Sequence, residues 1–186
     1  MMEEKEKAWK TVSSKYLFRR PWLTVRCEDM LLPNGNHIPE YYILEYPDWV
    51  NTIAITKDGK FVFVRQYRPG LGRTSYELCA GVCDKEDASP LVSAQRELWE
   101  ETGYGNGNWQ EYMVLSPNPS THTNVTYCFL ATDVEPIAPQ HLEDTEDLTV
   151  HLLTLEEVKQ LLLNNEIMQS LHAAPLWRYM AEKRLI

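Results

Sequence analysis

The sequence predicts one α+β domain with an additional β segment at its N-terminus. Two turn signals, Pro33–Asn36 and Lys57–Lys60, each separate stretches rich in β-forming residues, which indicates two β-hairpins. A third observation is a stretch from Ser89 to Gly103 with residue types that begin and end a helix. Strands accompanied by only a few helices favour the α+β class, and 186 residues suffice for one domain with a full core.

The N-terminal segment is predicted to form a β-hairpin. Its strands are Trp22–Leu32 and Ile38–Glu45, on either side of the first turn signal. The charged residues 1–10 are expected to be a frayed start. Residues 1–47 therefore form a β arm, and residues 48–186 form the main domain.

The main domain begins with the second hairpin, whose Asp58-Gly59 pair is a strong hairpin signal. Its strands are predicted at Thr52–Thr56 and Phe61–Arg65. Further strands are predicted at Ser75–Leu78, Tyr112–Leu115, Thr126–Thr132 and Leu148–Leu153.

The first helix is the most clearly delimited element. Ser89 is a good N-cap, and Pro90 suits the first helical position because the N–H that proline lacks would have no helical partner there. Gly103 is a suitable stop, since glycine adopts the left-handed conformation that ends many helices.

Two further helices are predicted near the C-terminus. Thr154 and Glu157 form a capping box for a helix that extends to Leu163. The last helix is predicted at about Ala174–Arg184, with Pro175 in its first turn. Its inner face is expected to carry Leu176, Tyr179 and Met180.

Three carboxylates share one face of the first helix. Glu97, Glu100 and Glu101 stand at positions i, i+3 and i+4. Like charges at this spacing destabilise a helix, and negative charge near its C-terminus also opposes the helix dipole. A bound divalent cation would reverse that effect, and hard oxygen ligands on one rigid face suit Mg²⁺ or Mn²⁺. A solvated acidic face is the alternative.

The order of residues around these carboxylates resembles a known signature. Arg-Glu-Leu-Trp-Glu-Glu-Thr-Gly-Tyr at 96–104, preceded by Gly81, closely resembles the Nudix hydrolase motif. The first half of the motif is one residue longer than the pattern, so that its glutamate is Asp87, Glu86 or absent. The resemblance covers about residues 48–165 and implies a Nudix fold, a mixed β-sheet sandwiched between helices.

The resemblance implies metal-dependent hydrolysis of a diphosphate. The metal ligands it implies are Glu97, Glu101 and the backbone carbonyl of Ala80, with Glu100 binding directly or through water. Mg²⁺ is the expected cofactor, with Mn²⁺ as a substitute. Arg96 is expected to orient these carboxylates.

Two sources of the general base remain open. One is the helix itself, through Glu100 or Glu101. The other is the acidic loop 143–147, where Glu146 best matches the catalytic loop of ADP-ribose pyrophosphatases, the branch that this chain resembles. The segment Arg65–Arg68 resembles a motif of the same branch, and it implies that Arg68 binds the diphosphate.

Composition excludes several other classes of protein. A net charge of −9 argues against a nucleic-acid-binding surface. The sequence has neither an apolar run long enough to cross a membrane nor an apolar export signal, which predicts a cytoplasmic protein. The four cysteines are expected to be free thiols.

The sequence thus predicts an enzyme that cleaves ADP-ribose or a related nucleoside diphosphate sugar into a nucleoside monophosphate and a sugar phosphate. Alternatives are a GDP-mannose-type hydrolase and a nucleotide-binding protein whose catalysis has lapsed. In the branch it resembles, an N-terminal arm crosses to a second subunit, which implies a homodimer. The small-molecule substrate is a nucleotide sugar.

Overall fold

The computed structural model describes residues 7–186 and divides them into two compact units. The first unit contains the described residues up to Tyr46 together with Asn118–Asn124, and the second contains Pro47–Pro117 and Val125–Ile186. The expected frayed start at residues 1–10 lies partly outside the described residues, and Lys10 already belongs to a strand.

The first unit is a three-stranded antiparallel sheet in the order β1-β2-β3. The predicted hairpin is present as β2 (Leu23–Leu31) and β3 (His37–Glu45), and its turn places Gly35 at a φ of +87°. The strand β1 (Lys10–Arg20) was not predicted from the sequence. All eleven of its residues are exposed. Its sequence therefore lacks the strict alternation of apolar and polar residues by which a half-buried strand is recognised.

The second unit contains an eight-stranded mixed sheet. The central strands run in the order β11-β5-β4-β10-β8, with β6 paired to β5, β7 to β4 and β9 to β10. β4 and β10 are parallel, and the other pairs are antiparallel. The strands are β4 (Trp49–Thr56), β5 (Phe61–Arg68), β6 (Arg73–Glu77), β7 (Cys79–Val82), β8 (Tyr104–Gly105), β9 (Asn108–Leu115), β10 (Thr126–Pro136) and β11 (Leu148–Leu153).

Helices cover both faces of this sheet. Ile53 of β4 packs in a core with the helices α2 (Leu155–Leu163) and α3 (Ser170–Glu182). The next residue, Ala54, packs in a second core with Leu98 of α1 (Pro90–Thr102). Since successive side chains of a strand point to opposite faces, β4 is buried on both sides. The predicted mixed sheet between helices is confirmed.

The local signals place the first two helices correctly. The Ser89 side chain accepts a bond from the Val92 backbone N–H, and Gly103 ends α1 with a φ of +73°. Both bonds of the Thr154–Glu157 capping box are present at the start of α2. Within the described residues, no helix is both long and apolar enough to cross a membrane.

The predicted start of the last helix is wrong. α3 begins at Ser170, so Pro175 lies inside the helix rather than in its first turn. An interior proline cannot donate to the carbonyl four residues earlier, here that of Leu171. The side-chain amide of Asn51 donates to this carbonyl at 2.8 Å and replaces the missing bond. A contact from β4 therefore allows the helix to extend past the residue that the sequence marks as its beginning.

We predict that the bond from Asn51 stabilises the fold because Pro175 is present. Asn51→Ala should lower the free energy of unfolding by about 1–3 kcal/mol, since the Leu171 carbonyl loses its buried partner. In a Pro175→Ala background the new N–H at position 175 can reach that carbonyl. The same change should then cost less than about 1 kcal/mol. Urea denaturation of the four proteins measures both values, and equal costs in the two backgrounds would contradict the assignment.

Candidate functional site

The most deeply buried acidic side chain of α1 is Glu101, which is 4% exposed. Its Oε2 accepts a bond of 3.1 Å from the backbone N–H of Ala80 on β7. The pKa of Glu101 is raised to about 8, chiefly by burial and also by the nearby negative charges of Glu97 and Glu146. The hydrogen bonds from Cys79 and Ala80 only partly offset this. In the absence of a cation, this environment therefore favours the protonated form of Glu101 at neutral pH.

Glu97 lies one turn earlier on α1, against the backbone of Gly81. A side-chain carbon added at Gly81 would lie 2.0 Å from Cδ of Glu97, so any other residue there would displace this carboxylate from its present position. Burial raises the pKa of Glu97, and the charge of Glu100 adds to this effect. The glycine thus allows the Glu97 carboxylate to lie directly against the backbone of β7.

Arg96 links the other acidic residues around the helix. Its Nη1 donates to Glu97 at 3.0 Å and to Glu100 at 2.9 Å. Its Nε and Nη2 each bond to Asp87 at 3.2 Å, while Glu86 is exposed. Of the alternatives left open for the first motif glutamate, Asp87 is therefore the residue that contacts the helix. Burial would lower the pKa of Arg96, but the surrounding carboxylates outweigh it and raise it.

The donor atoms on this face are carboxylate oxygens, the type of ligand that a divalent metal ion such as Mg²⁺ prefers. Glu97 and Glu101 are carboxylates with raised pKa values beside the strand that carries Ala80, and Glu100 is partly exposed next to them. In residues 7–186, no three side chains of His, Cys, Asp or Glu are already gathered closely enough to hold a metal. Arg96 instead occupies oxygens of Glu97 and Glu100.

A cavity of about 610 Å³ borders the same strand. Such a volume is in the range of small-molecule sites. Ala80 and Gly81 line the cavity and also contact the carboxylates of Glu101 and Glu97, so the same strand borders both the cavity and these carboxylates. The remaining walls come from the start of β4, the turn after β5, the start of β10 and the start of α3, and include Trp49, Leu71, Thr126, Met168 and His172.

Arg68 stands at the edge of this cavity, at the end of β5. Its hydrogen bonds to Glu77 are the main cause of its raised pKa, and the negative charge of Glu101 also contributes. The predicted anion-binding residue and the predicted metal ligand are therefore close enough to interact electrostatically.

Sequence reasoning missed Glu77, the partner of Arg68. Glu77 lies on β6, where only 1% of the residue is exposed, and it accepts three hydrogen bonds from Arg68. The feature that could have revealed it is the alternation of side chains along β6, which places Ser75 and Glu77 on the same buried face. A buried charge on a strand requires a partner.

The acidic loop 143–147 leads directly into β11. The side chain of Glu146 accepts a bond of 2.9 Å from the backbone N–H of Glu143, which holds the loop in a tight turn. The charge of Glu146 contributes to the raised pKa of Glu101, so these two carboxylates lie near each other. The other possible base on the helix, Glu100, is held by Arg96.

Comparison with known families agrees with this geometry. Residues 46–174 match the model of the NUDIX domain. The chain belongs to the Nudix hydrolase family. Residues 9–44 match a second model, the nucleoside diphosphate sugar hydrolase N-terminal domain. Nudix hydrolases generally use divalent metal ions, as the carboxylates of α1 suggest.

Individual relatives span most of this Nudix chain. It is 30% identical over 159 residues to the ADP-ribose pyrophosphatase of Bacillus subtilis (strain 168), and the match covers 85% of each chain. It is 30% identical over 162 residues to the methanol dehydrogenase activator of Bacillus methanolicus, covering 87% of this chain and 86% of the relative. A solved structure described as an ADP compounds hydrolase superposes with a TM-score of 0.78 at 22% identity, covering 94% of this chain and 95% of the other.

The raised pKa of Glu101 predicts how the stability of the metal-free Nudix enzyme depends on pH. The folded protein retains a proton on Glu101 up to about pH 8, whereas an unfolded glutamate loses it near its ordinary value of 4.5. The resulting stabilisation is complete below that ordinary value and is lost as the pH rises through about 8. Urea denaturation in a chelator should therefore show the free energy of unfolding falling between pH 5 and pH 8.

The variant Glu101→Gln should remove about 1–4 kcal/mol of that fall, because glutamine has no proton to lose. The exposed Glu111→Gln is the matched control and should keep the wild-type slope. A wild-type slope in Glu101→Gln would show that this carboxylate is not the group responsible.

Proposed function

We propose that this Nudix hydrolase cleaves the diphosphate bond of ADP-ribose or a related nucleoside diphosphate sugar, giving a nucleoside monophosphate and a sugar phosphate. The observation that carries the proposal is that Ala80 and Gly81 both line the cavity beside Arg68 and contact the carboxylates of α1. A substrate in that cavity would bring its diphosphate to the carboxylates. The relative from B. subtilis, named an ADP-ribose pyrophosphatase, supports this substrate class.

The proposed metal ligands are Glu97, Glu101 and the Ala80 carbonyl, with Glu100 direct or through water. They would hold Mg²⁺, or Mn²⁺ in its place, and the ion when bound neutralises negative charge on the diphosphate. Two raised carboxylate pKa values on one face support this set, because a cation is what such a face lacks. Arg96 would keep Glu97 and Glu100 oriented.

Arg68 would bind the diphosphate, since a guanidinium can make paired bonds to phosphate oxygens. Glu146 is the proposed general base, which takes a proton from the attacking water. Its proximity to Glu101 supports this role, and the bond that ties Glu100 to Arg96 makes Glu100 the weaker candidate.

We predict metal-dependent cleavage of ADP-ribose or a nucleotide sugar. Phosphate release, coupled to a phosphatase, would be measured with Mg²⁺ across ADP-ribose, GDP-mannose, UDP-glucose, a dinucleoside polyphosphate and a nucleoside triphosphate. Glu101→Gln should nearly abolish turnover while the protein stays folded. Glu146→Gln should reduce kcat by about 100-fold or more, since a general base contributes roughly 10²–10⁴-fold.

The other outcomes separate the alternatives. Preference for GDP-mannose would assign the enzyme to that substrate. A loss below tenfold in Glu146→Gln would return the role of base to the helix. No turnover from a folded wild-type protein would favour a nucleotide-binding protein without catalysis, and the relative named as a methanol dehydrogenase activator makes a regulatory role the specific alternative.

We also propose that the chain forms a homodimer through its N-terminal sheet. Large apolar side chains are exposed along β1 and the following turn, and Trp22 is 81% exposed. No described strand pairs with the outer edge of β1. An edge strand and an apolar surface of this kind are normally covered by another chain. The exposed side chains are Trp9, Val12, Tyr16, Leu17, Phe18, Trp22 and Leu23.

Sedimentation equilibrium should therefore give a mass twice the 21.7 kDa of one chain. Phe18→Glu should weaken association at least about tenfold, because it places a charge in an apolar contact. The control Lys15→Glu changes an exposed polar residue of the same strand and should leave the dimer intact. A monomeric wild-type protein at micromolar concentration would refute the proposal.

Free thiols and a nucleotide-sugar substrate fit the cytoplasm, where we propose the enzyme acts. The structure contains no disulfide bond among Cys27, Cys79, Cys83 and Cys128. Free thiols are usual for proteins of a reducing compartment.

A further inference from the structure

A buried group of polar side chains lies beneath the cavity, behind Arg68. Glu77 at its centre has a side chain that is 2% exposed, and the Arg68 side chain is 41% exposed. The Arg68 Nε lies 3.0 and 3.1 Å from the two carboxylate oxygens of Glu77, and its Nη2 lies 2.6 Å from one of them. The buried carboxylate of Glu77 is thus bonded to a guanidinium, that of Arg68, which reaches the cavity.

The pairing of the strands produces this arrangement. Glu77 lies opposite Val64 in the antiparallel pair of β5 and β6, and Gln66 lies opposite Ser75. Because alternate residues of a strand share a face, Gln66 and Arg68 point to the same side as Glu77. Gln66 also approaches Glu77, with its amide nitrogen 3.5 Å from Oε2.

The histidine at the start of α3 completes the group. His172 is 2% exposed, and its Nε2 lies 3.6 Å from Oε2 of Glu77. Burial lowers the pKa of His172 to about 4 despite the opposing charge of Glu77, and the charge of Arg68 also lowers it. At neutral pH it is therefore uncharged, so Arg68 is the cation that balances Glu77.

The bonds to Glu77 use only one edge of the guanidinium. Nε and Nη2 donate to the carboxylate, while Nη1 takes no part in these bonds. A guanidinium has five N–H groups, and its end-on edge of Nη1 and Nη2 can bind two oxygens of a phosphate. A carboxylate on the side edge therefore fixes the plane and direction of the other edge.

We propose that Glu77 is a positioning residue, which holds Arg68 so that its end-on edge receives an oxygen pair of the substrate's diphosphate. This inference depends on the proposed function for the identity of the anion. Glu77 itself lies behind Arg68 and does not touch the substrate. Replacing its charge should weaken diphosphate binding through Arg68 and leave the chemical step largely intact.

A double-mutant cycle tests this mechanism. Glu77→Gln should raise KM about tenfold for the preferred substrate and change kcat less than about threefold, because it disturbs binding geometry. Arg68→Lys keeps a positive charge beside Glu77 but replaces the two-edged guanidinium with a point charge. In that background Glu77→Gln should raise KM less than about twofold.

Binding of inorganic pyrophosphate with Mg²⁺, measured by calorimetry, gives a readout that needs no turnover. The increases predicted for KM are also expected for the Kd of pyrophosphate. The inference therefore stays testable even if the enzyme cleaves no substrate of the panel. Glu182→Gln is the matched control, since Glu182 pairs with Arg178 on α3 at 2.8 Å and should leave KM and Kd unchanged.

Thermal unfolding shows whether each variant is folded, and Glu77→Asp replaces Glu77→Gln in the cycle if the glutamine variant is not. Unchanged KM and Kd in a folded Glu77 variant would overturn the proposal. Equal losses in the wild-type and Arg68→Lys backgrounds would overturn it as well, because a purely structural role for Glu77 does not depend on the guanidinium.

Discussion

The constraint on which the site depends is the burial of two carboxylates with too little positive charge around them. Glu101 bonds to the Ala80 backbone, and Glu97 fits against Gly81 because that residue has no side chain. The protein positions both groups through α1 and β7 but leaves their pKa values raised. A folded enzyme retains such an unfavourable arrangement where a ligand supplies the missing charge. In the proposed function, the affinity for a metal ion and the cost to stability therefore have the same origin.

The sequence specified the elements whose signals are local. The N-cap of α1, the stop at Gly103 and the capping box of α2 each depend on residues within one turn, and all three are confirmed. The start of α3 was predicted wrongly because Asn51, more than 100 residues away, replaces the bond that Pro175 cannot make. No pattern within the helix carries that information.

The site shows the same division between local and long-range information. The carboxylates of α1 could be found from their spacing along one helix. Asp87 could be separated from Glu86 only when the structure showed which of them bonds to Arg96. Glu77 was missed because its role arises from the pairing of β5 with β6 and from a helix that follows much later in the chain. Strand register decides which side chains meet, and one sequence does not state it.

The two arginines of the site differ in how many of their N–H donors are already bonded to other residues of the protein. Arg96 bonds to Asp87, Glu97 and Glu100 and to the carbonyl of Val82, so its donors are already used within the protein. Arg68 faces one carboxylate along one edge and keeps the other edge free of those bonds. An arginine surrounded by carboxylates serves to order them, whereas one held from behind can bind an incoming anion. In the proposed function, this difference separates Arg96, which would order the metal ligands, from Arg68, which would bind the diphosphate.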